Sequence, residues 1–253
     1  MKLPATSMHL SLRAFSITSK RRVDMINSAL KPEVVLSESN RKACIERFKS
    51  MRVPKSHNAA EAAVLVPLCL YKGELGLLYT LRSMRLTTNR GQVSFPGGMR
   101  DENDVNLQET ALRETWEELK IPREKIDVWT TGNLIGKVDV NVMPVLAYIG
   151  EVEPEKMEIN HDEVEEVFVV SLQKLCDPEL IRFTTFRHQV ATLPSYLGGK
   201  YRVWGFTAGI THMALESLVP DVYEFKFFTL KSMQKSSTIK SNSFDNNATH
   251  SKI

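Results

Sequence analysis

The sequence predicts an α+β fold, an α/β/α sandwich in which a mixed β-sheet is flanked by helices. Three observations support this prediction. Apolar, strand-like runs outnumber the helical segments, helices occur both before and after these runs, and the composition is that of a globular protein. The chain has 253 residues, 42% of them hydrophobic and 25% charged, which suits one full-sized domain with extensions. A chain of this length can bury a sizeable core without disulfides.

The predicted elements follow one another without an internal repeat. Residues 37–51 form a helix, for which Ser37 or Ser39 is available as the N-cap. Ala62–Leu70 and Leu75–Arg82 are apolar runs joined by a short polar turn, which predicts a hairpin. The other predicted elements are strands at Lys125–Thr131, Val142–Glu151, Glu166–Ser171, Tyr201–Trp204 (after a turn at Gly198-Gly199) and Tyr223–Phe228, and helices at Glu109–Leu119 and Thr207–Leu218.

The two ends of the chain differ in composition from its centre. The N-terminal end is rich in Arg, Ser and Thr and has no acid, which is typical of a mitochondrial transit peptide, although an ordinary disordered basic N-terminus is the alternative. The last three residues, Ser251-Lys252-Ile253, are close to the peroxisomal address S-K-L, so peroxisomes are the alternative to the mitochondrial matrix. The predicted divisions are a transit peptide at 1–23, a helical lead-in at 24–58, the main domain at 59–230 and a disordered polar tail at 231–253.

Net positive charge is confined to the two ends of the chain. The net charge is +3, but residues 1–23 contribute +5 and residues 231–253 contribute +3, which leaves residues 24–230 at −5. Nucleic-acid-binding proteins concentrate positive charge on the folded domain, so we expect no nucleic-acid partner. No run approaches the roughly 20 apolar residues that cross a bilayer. The three cysteines match neither disulfide nor zinc spacing, which favours a reduced intracellular compartment.

A predicted helix near residue 114 carries the chemistry. At 3.6 residues per turn, three carboxylates share one face of it, those of Glu114, Glu117 and Glu118, with Arg113 on the flank. The apolar residues Leu112, Trp116 and Leu119 fall on nearly the opposite side, so we expect them to pack inward while the carboxylates point outward.

Like charges one turn apart destabilise a helix, and Mg²⁺ or Mn²⁺ would compensate for this crowding. Taken alone, such an acidic face is more often merely solvated. Here the run Phe95-Pro96-Gly97-Gly98 precedes the helix, and paired glycines allow a backbone to approach a ligand closely. A glycine loop, an acidic loop with Asp101, Glu102 and Asp104, and a carboxylate helix, in that order, favour a site for a cation and a diphosphate.

The same stretch resembles the Nudix box, G-x5-E-x7-R-E-U-x-E-E-x-G-U, in which U is apolar. The matching residues are Gly98, Arg113, Glu114, Glu117, Glu118 and Ile121. A narrower resemblance, to the coenzyme A diphosphatases, is carried by L-R-S at 81–83, R-G-Q-V-S-F-P-G-G at 90–98 and T-A-L-R-E at 110–114. Y-R-V-W-G-F-T-A at 201–208 is similar to the mitochondrial branch of that subgroup. The main domain, 59–230, is therefore predicted to have the Nudix fold.

The resemblance implies cation-dependent hydrolysis of the diphosphate of coenzyme A and its thioesters, giving 3′,5′-ADP and 4′-phosphopantetheine. Glu114 and Glu118 would hold Mg²⁺ or Mn²⁺, assisted by Glu117, and a further ligand is expected among Glu163, Glu165 and Glu166, of which Glu166 is the selected candidate. The identity of the general base stays open. The candidate residues for substrate binding are Gly97, Gly98, Arg82 and Arg90, with Arg85 as a further basic residue beside them.

Three departures from the pattern and three alternatives accompany this prediction. The loop between Gly98 and Arg113 is one residue longer than in the general box, Asp104 stands where that box has Glu, and Lys120 replaces the glycine expected at a left-handed C-cap. Phe95 and Trp204 could stack on adenine, but core packing is the favoured interpretation for both. The alternative substrates are ADP-ribose, dinucleotides and nucleotide sugars. The alternative from another class is a non-catalytic Nudix-like binding module.

Overall fold

The computed structural model describes residues 24–56, 59–137, 139–186, 191–223 and 225. The predicted transit peptide, the polar tail with its last three residues, and most of the predicted strand Tyr223–Phe228 lie outside these described residues. Within them, each helix is either too short or too polar to cross a membrane.

A mixed sheet of eight strands forms the centre of the protein. Its core order is β3-β2-β1-β7-β5, with β4 paired to β1, β6 to β7 and β8 to β2. Strands β1 and β7 run parallel, and the other pairs in this sheet are antiparallel. The strands are β1 (Ala60–Tyr71), β2 (Glu74–Arg82), β3 (Val93–Ser94), β4 (Gly97–Met99), β5 (Asp127–Thr131), β6 (Ile135–Lys137), β7 (Val140–Glu151) and β8 (Val164–Ser171).

The predicted hairpin between the first two long strands is confirmed. Tyr71 pairs with Glu74, and the two residues between them, Lys72 and Gly73, have φ angles of 52° and 80°. Two successive positive φ angles are the signature of the tight turn that matches the right-handed twist of paired strands. The glycine accepts this conformation without strain, and the lysine tolerates it at the tip of the turn.

Helices cover both faces of the sheet. They are α1 (Pro32–Val35), α2 (Glu38–Ser50), α3 (Leu107–Leu119), α4 (Leu172–Leu175) and α5 (Gly205–Leu218). The predicted N-cap of α2 is confirmed, because the Ser37 hydroxyl accepts a hydrogen bond from the Asn40 amide at 3.4 Å. Residues 24–29 are also helical.

Side chains along β1 point alternately to the two faces of the sheet, which divides the core into two layers. Val66 and Leu68 belong to a cluster that includes Phe48 of α2 and Leu215 of α5. Residues at the odd positions, such as Leu65, belong to a second cluster with the apolar side of α3. Because successive residues of a strand point to opposite faces, the two clusters lie on opposite sides of the sheet. This arrangement confirms the predicted α/β/α sandwich.

A second, two-stranded sheet was not predicted. Strands β9 (Ile181–Phe186) and β10 (Ala191–Tyr196) pair in an antiparallel arrangement, and Pro194 interrupts what would otherwise be a readable strand pattern. The predicted strand Tyr201–Trp204 is reduced to a single bridge between Val203 and Tyr196, which closes the turn that contains Gly198 and Gly199. The strand predicted at Lys125–Thr131 begins at Asp127, because Arg123–Lys125 form a 3₁₀ turn.

Candidate active site

Helix α3 begins and ends at defined caps. The Asn106 side chain accepts a hydrogen bond from the Glu109 amide at 3.0 Å, which satisfies one of the free amides of the first turn. At the other end, Lys120 has φ 53° and ψ 25°, and its amide donates to the Trp116 carbonyl at 3.0 Å. The left-handed C-cap expected from the sequence is therefore present, with lysine where glycine would carry no steric cost.

The three carboxylates of α3 are not equivalent, which corrects the prediction that all of them point outward. Glu118 is only 2% exposed, whereas the side chains of Glu114 and Glu117 are 13% and 46% exposed. Trp116, predicted to pack inward, is 49% exposed. The buried arc of the helix runs from Glu118 through Thr115 to Leu119, and the helix packs against both β1 and β4.

Arg113 organises the exposed side of this site. Its Nε and Nη2 atoms each donate to a different oxygen of the Asp104 carboxylate at 3.0 Å, while Nη1 donates to Glu114 at 3.0 Å and to Glu117 at 2.9 Å. Nη2 also reaches the Met99 carbonyl at 3.1 Å. The Arg113 guanidinium holds the pKa of Asp104 well below its usual range. The arginine therefore ties the acidic loop, β4 and two site carboxylates into one network.

Three carboxylates from two parts of the chain converge beside α3. One oxygen from each of Glu114, Glu118 and Glu163 lies within 4.8 Å of the other two. Burial raises the pKa of Glu118 to about 8, with further contributions from its two acidic neighbours, and the charge of Arg82 opposes the rise. Burial also raises the pKa of Glu114, against the opposing effect of Arg113. Such a group of carboxylates is electrostatically costly unless a cation neutralises it.

Glu118 offers a further sign that the site suits a cation. Its Oε2 atom is buried and has no hydrogen-bond partner among the described residues. A buried, unpaired carboxylate oxygen is costly, and hard divalent cations such as Mg²⁺ prefer oxygen ligands of this kind. The donor set of three carboxylates therefore fits a divalent metal ion.

The sequence prediction selected Glu166 as the additional ligand, and the structure places it elsewhere. Its carboxylate accepts hydrogen bonds from Lys200 Nζ at 2.5 Å and Tyr201 Oη at 2.7 Å. Burial favours a higher pKa for Glu166, but these two donors lower it overall. Glu163, which the sequence offered in the same H-D-E-V-E-E run, is the member of that run that joins Glu114 and Glu118.

The position of Glu163 follows from the turn before β8. The Asn160 amide donates to the Glu118 carbonyl at 2.9 Å, which fastens this turn to the end of α3. The Asn160 side-chain amide then donates to Glu163 Oε1 at 3.1 Å. The sequence did not show which of Glu163 and Glu166 lies beside Glu114 and Glu118. The answer depends on where β8 starts and on a bulge in its pairing with β2, between Leu81 and Arg82.

Two glycines on β4 make room for the site. Gly97 has φ 147°, and a Cβ atom there would lie 2.3 Å from the Ala63 carbonyl oxygen. A Cβ atom on Gly98 would lie 2.5 Å from both Cδ and Oε1 of Glu114. Gly97 therefore allows β4 to approach β1, and Gly98 allows the Glu114 carboxylate to lie against the backbone.

The candidate basic residues occupy different environments. Arg82 ends β2, and its Nε atom is buried without a hydrogen-bond partner in the part of the chain that the structure describes. Arg90 is exposed in the turn before Gly91. Arg85 forms an exposed ion pair with Asp162 at 2.7 Å. The charge of Arg82 lowers the pKa of Glu118, which belongs to the carboxylate cluster of Glu114, Glu118 and Glu163.

The two glycines should respond differently to substitution by alanine. We expect Gly98→Ala to push the Glu114 carboxylate aside and to lower kcat roughly 100-fold, with little change in stability. Gly97→Ala should instead destabilise the fold by roughly 1–3 kcal/mol from the strain of its positive φ angle alone. The clash of the new Cβ atom adds to this loss, because the neighbouring main chain of Ala63 cannot move easily. Steady-state kinetics and urea denaturation of both variants separate the two effects. Equal loss of stability in both would contradict this assignment.

Comparison with known proteins identifies the family. The model of the NUDIX domain matches residues 60–192. The chain is 40% identical over 194 residues to the protein named mitochondrial coenzyme A diphosphatase NUDT8 of Mus musculus, covering 75% of this chain and 92% of that protein. It is 46% identical over 172 residues to the Homo sapiens protein of the same name, covering 65% and 72%. It is also 36% identical over 210 residues to Nudix hydrolase 3 of Caenorhabditis elegans, covering 73% and 86%.

The matched region includes the carboxylate cluster, the arginine network and the two glycines of β4. It spans more than half of the chain, and the mouse relative is covered over most of its own length. The chain therefore belongs to the NUDIX domain family, as a Nudix hydrolase.

Proposed function

We propose that this protein hydrolyses the diphosphate of coenzyme A and its thioesters, releasing 3′,5′-ADP and (acyl-)4′-phosphopantetheine. The observation that carries the proposal is the 40–46% identity to two proteins named coenzyme A diphosphatases. The motifs that resemble those of the coenzyme A diphosphatases support it, because they supply Glu114 of the carboxylate cluster, Gly98 beside it and Arg82 at the end of β2. Glu114, Glu117, Glu118 and Arg113 are the proposed catalytic group.

The proposed metal ligands are Glu114, Glu118 and Glu163, with Mg²⁺ or Mn²⁺ as the cation. When bound, such a cation neutralises the charge of a diphosphate and makes water a better nucleophile at phosphorus. The residues of this chain supply the positions. Arg113 fixes Glu114 and Glu117, and the turn at Asn160 fixes Glu163 relative to α3. Gly98 leaves the Glu114 carboxylate undisturbed against β4.

Substrate anchoring is proposed for the basic end of β2. Arg82 is half-buried at the end of β2, where its charge lowers the pKa of Glu118, so its guanidinium is placed to meet a phosphate of the substrate. Gly97 and Gly98 let the β4 backbone approach the same region. Arg90, exposed in the preceding turn, is proposed as a weaker contact with the substrate.

A substrate panel tests the proposal. Purified full-length protein with Mg²⁺ or Mn²⁺ is offered coenzyme A, acetyl-coenzyme A, ADP-ribose, NADH and a nucleotide sugar, and the products are identified by mass. We expect coenzyme A and its thioester to yield 3′,5′-ADP and the matching phosphopantetheine. Intact coenzyme A beside consumed ADP-ribose or NADH would contradict the substrate and retain the enzyme class.

A mitochondrial location is proposed separately. It is supported by the composition of residues 1–23 and by the word mitochondrial in the names of the two relatives. Residues 1–35 fused to a fluorescent reporter should enter mitochondria, and the same segment with its Arg residues changed to Glu serves as the control. A cytosolic reporter would contradict the proposal and direct attention to the peroxisomal alternative at the other end of the chain.

A further inference from the structure

The segment between β10 and α5, residues 197–204, forms a loop attached to the sheet near the carboxylate cluster. Its first attachment is Glu166 on β8, which accepts hydrogen bonds from Lys200 at 2.5 Å and Tyr201 at 2.7 Å. Tyr201 also packs edge-on against Phe168 of β8, with ring centroids 5.4 Å apart. These contacts hold the loop against the face of the sheet that is opposite to α3.

The second attachment lies just after the loop. The Thr207 hydroxyl, in the first turns of α5, donates to the Val93 carbonyl of β3 at 3.0 Å. Val93 and Glu166 both pair with Leu81 of β2. Two residues further along, the Ser83 amide donates a hydrogen bond to the carbonyl of Glu163 at 2.9 Å. The loop and the carboxylate cluster therefore lie at the same end of β2, on its two faces.

Trp204, in this loop, does not pack into the core as predicted. Core packing was favoured for both Phe95 and Trp204, and it is confirmed only for Phe95, which is 2% exposed and stacks on Tyr79. Trp204 is 40% exposed, although the neighbouring Val203 is completely buried. The buried valine and the two attachments fix the backbone, so the indole is presented to solvent in a defined position.

Arg202 projects on the same side as Trp204. The backbone is extended through the bridge at Val203, so residues two apart point the same way and their Cα atoms are roughly 7 Å apart. The Arg202 guanidinium is already oriented, because Nε donates to the Ser195 hydroxyl at 2.5 Å and Nη2 to the Thr184 hydroxyl at 2.8 Å. Its Nη1 atom has no hydrogen-bond partner within the described ranges.

We infer that Trp204 and Arg202 form the binding site for the nucleotide half of the substrate, with adenine stacked on the indole and the 3′-phosphate at the guanidinium. This inference rests on the proposed function and names its specificity residues. An exposed, rigid indole suits an aromatic base, and a pre-oriented guanidinium suits a phosphate. The loop lies at the end of β2 where the scissile diphosphate would meet Arg82 and the carboxylates.

Tryptophan fluorescence tests the inference without turnover. The full-length protein, in EDTA, is titrated with 3′,5′-ADP, with 5′-AMP and with 4′-phosphopantetheine. We expect 3′,5′-ADP to quench fluorescence in the wild type and in Trp116→Phe, whose indole is exposed to a similar degree on the outer side of α3. Quenching should be lost in Trp204→Phe. Equal quenching in Trp204→Phe, or quenching by 4′-phosphopantetheine alone, would overturn the inference.

The role of Arg202 is tested with the same probes. Arg202→Gln should weaken binding of 3′,5′-ADP roughly tenfold and leave binding of 5′-AMP unchanged, because only the first ligand carries the phosphate that the guanidinium would meet. Equal weakening of both ligands would show that the substitution only disturbs the loop, and would overturn this part of the inference.

Kinetics separate the inference from the proposed function. Trp204→Ala should raise KM for coenzyme A roughly tenfold and change kcat little, since stacking acts on binding. Glu166→Gln should also raise KM, by loosening the loop, whereas a lost cation ligand would lower kcat. If the wild type cleaves coenzyme A and Trp204→Ala keeps its KM, the inference fails alone. If the wild type leaves coenzyme A intact while 3′,5′-ADP still quenches Trp204, the proposed function fails alone.

Discussion

Glu118→Gln should lower kcat for the diphosphate substrate by roughly 100- to 1000-fold, the usual cost of removing one preorganised electrostatic group. Glutamine keeps the size of the side chain and can accept a hydrogen bond, but it carries no charge for a cation. The position is nearly inaccessible to solvent, so water cannot replace the missing ligand. Steady-state kinetics at saturating substrate and cation give the result directly.

The thermal stability of Glu118→Gln, compared with that of the wild type, shows whether the loss of activity has a cause other than unfolding. A carboxyl group whose folded-state pKa is raised is protonated more easily in the folded protein, so its contribution to stability is lost as pH rises from its unfolded value toward about 8. In EDTA, the wild type should therefore lose thermal stability over this pH interval, and Glu118→Gln should lose much less. The substitution is expected to leave Tm near pH 7 equal to that of the wild type or higher.

Added cation should give the wild type a higher Tm than Glu118→Gln. A ligand that binds only the folded state stabilises it by about 2.7 kcal/mol at 100 times its Kd. Mn²⁺ should accordingly raise the Tm of the wild type and raise that of Glu118→Gln far less. Glu109→Gln is the matched control, because Glu109 lies on the same helix but its carboxylate pairs with Arg123 instead of joining the carboxylate cluster. Wild-type turnover in Glu118→Gln would place the active site elsewhere.

Helical periodicity predicted which residues share a face of α3, but it could not say which face is covered. The carboxylates of Glu114 and Glu118 do converge, as their spacing indicated. The exposure of Trp116 and the burial of Glu118 were missed, because they depend on how the helix packs against β1 and β4. Hydrophobicity alone assigned the tryptophan to the core and the glutamate to solvent. Tertiary packing reversed both.

The long strands of the central sheet were predictable from the sequence, because both of their faces are buried. The runs that became β1, β2 and β7 are apolar on both faces, since helices cover the sheet on both sides. Strands β9 and β10 form a separate two-stranded sheet outside the central one, so their residues carry a weaker pattern. The choice of Glu163 over Glu166 was likewise beyond the sequence, because it depends on a bulge and on the contacts of Asn160.

Arg113→Met should cause the largest loss of stability among the site variants. It removes the cation beside Asp104, whose side chain is 6% exposed, and leaves a buried carboxylate without its ion-pair partner. Breaking a buried pair in this way costs about 3–5 kcal/mol. Methionine fills much of the space of the arginine stem, so the loss should come from charge rather than from a cavity. Urea denaturation at pH 7 measures it.

A second substitution shows whether the unpaired charge is the cause. Asp104→Asn in the Arg113→Met background removes that charge. The asparagine side chain can still accept the hydrogen bond that the Thr110 hydroxyl donates to Asp104 at 2.8 Å in the wild type. The double variant should therefore be more stable than Arg113→Met, although each single change is destabilising. Activity should stay low, because Glu114 and Glu117 would still lack the guanidinium that orients them.

The pH dependence provides an independent check on the same pair. The pKa of Asp104 is held low by Arg113, so the stabilisation that this pair gives is present above the unfolded-state pKa of an aspartate and is lost as pH falls through the lower folded-state pKa. In Arg113→Met, this loss of stability at acid pH should disappear, because ionisation of Asp104 no longer stabilises the folded protein. If the double variant were no more stable than Arg113→Met, packing rather than charge would account for the role of Arg113, and the network would be a steric support for α3.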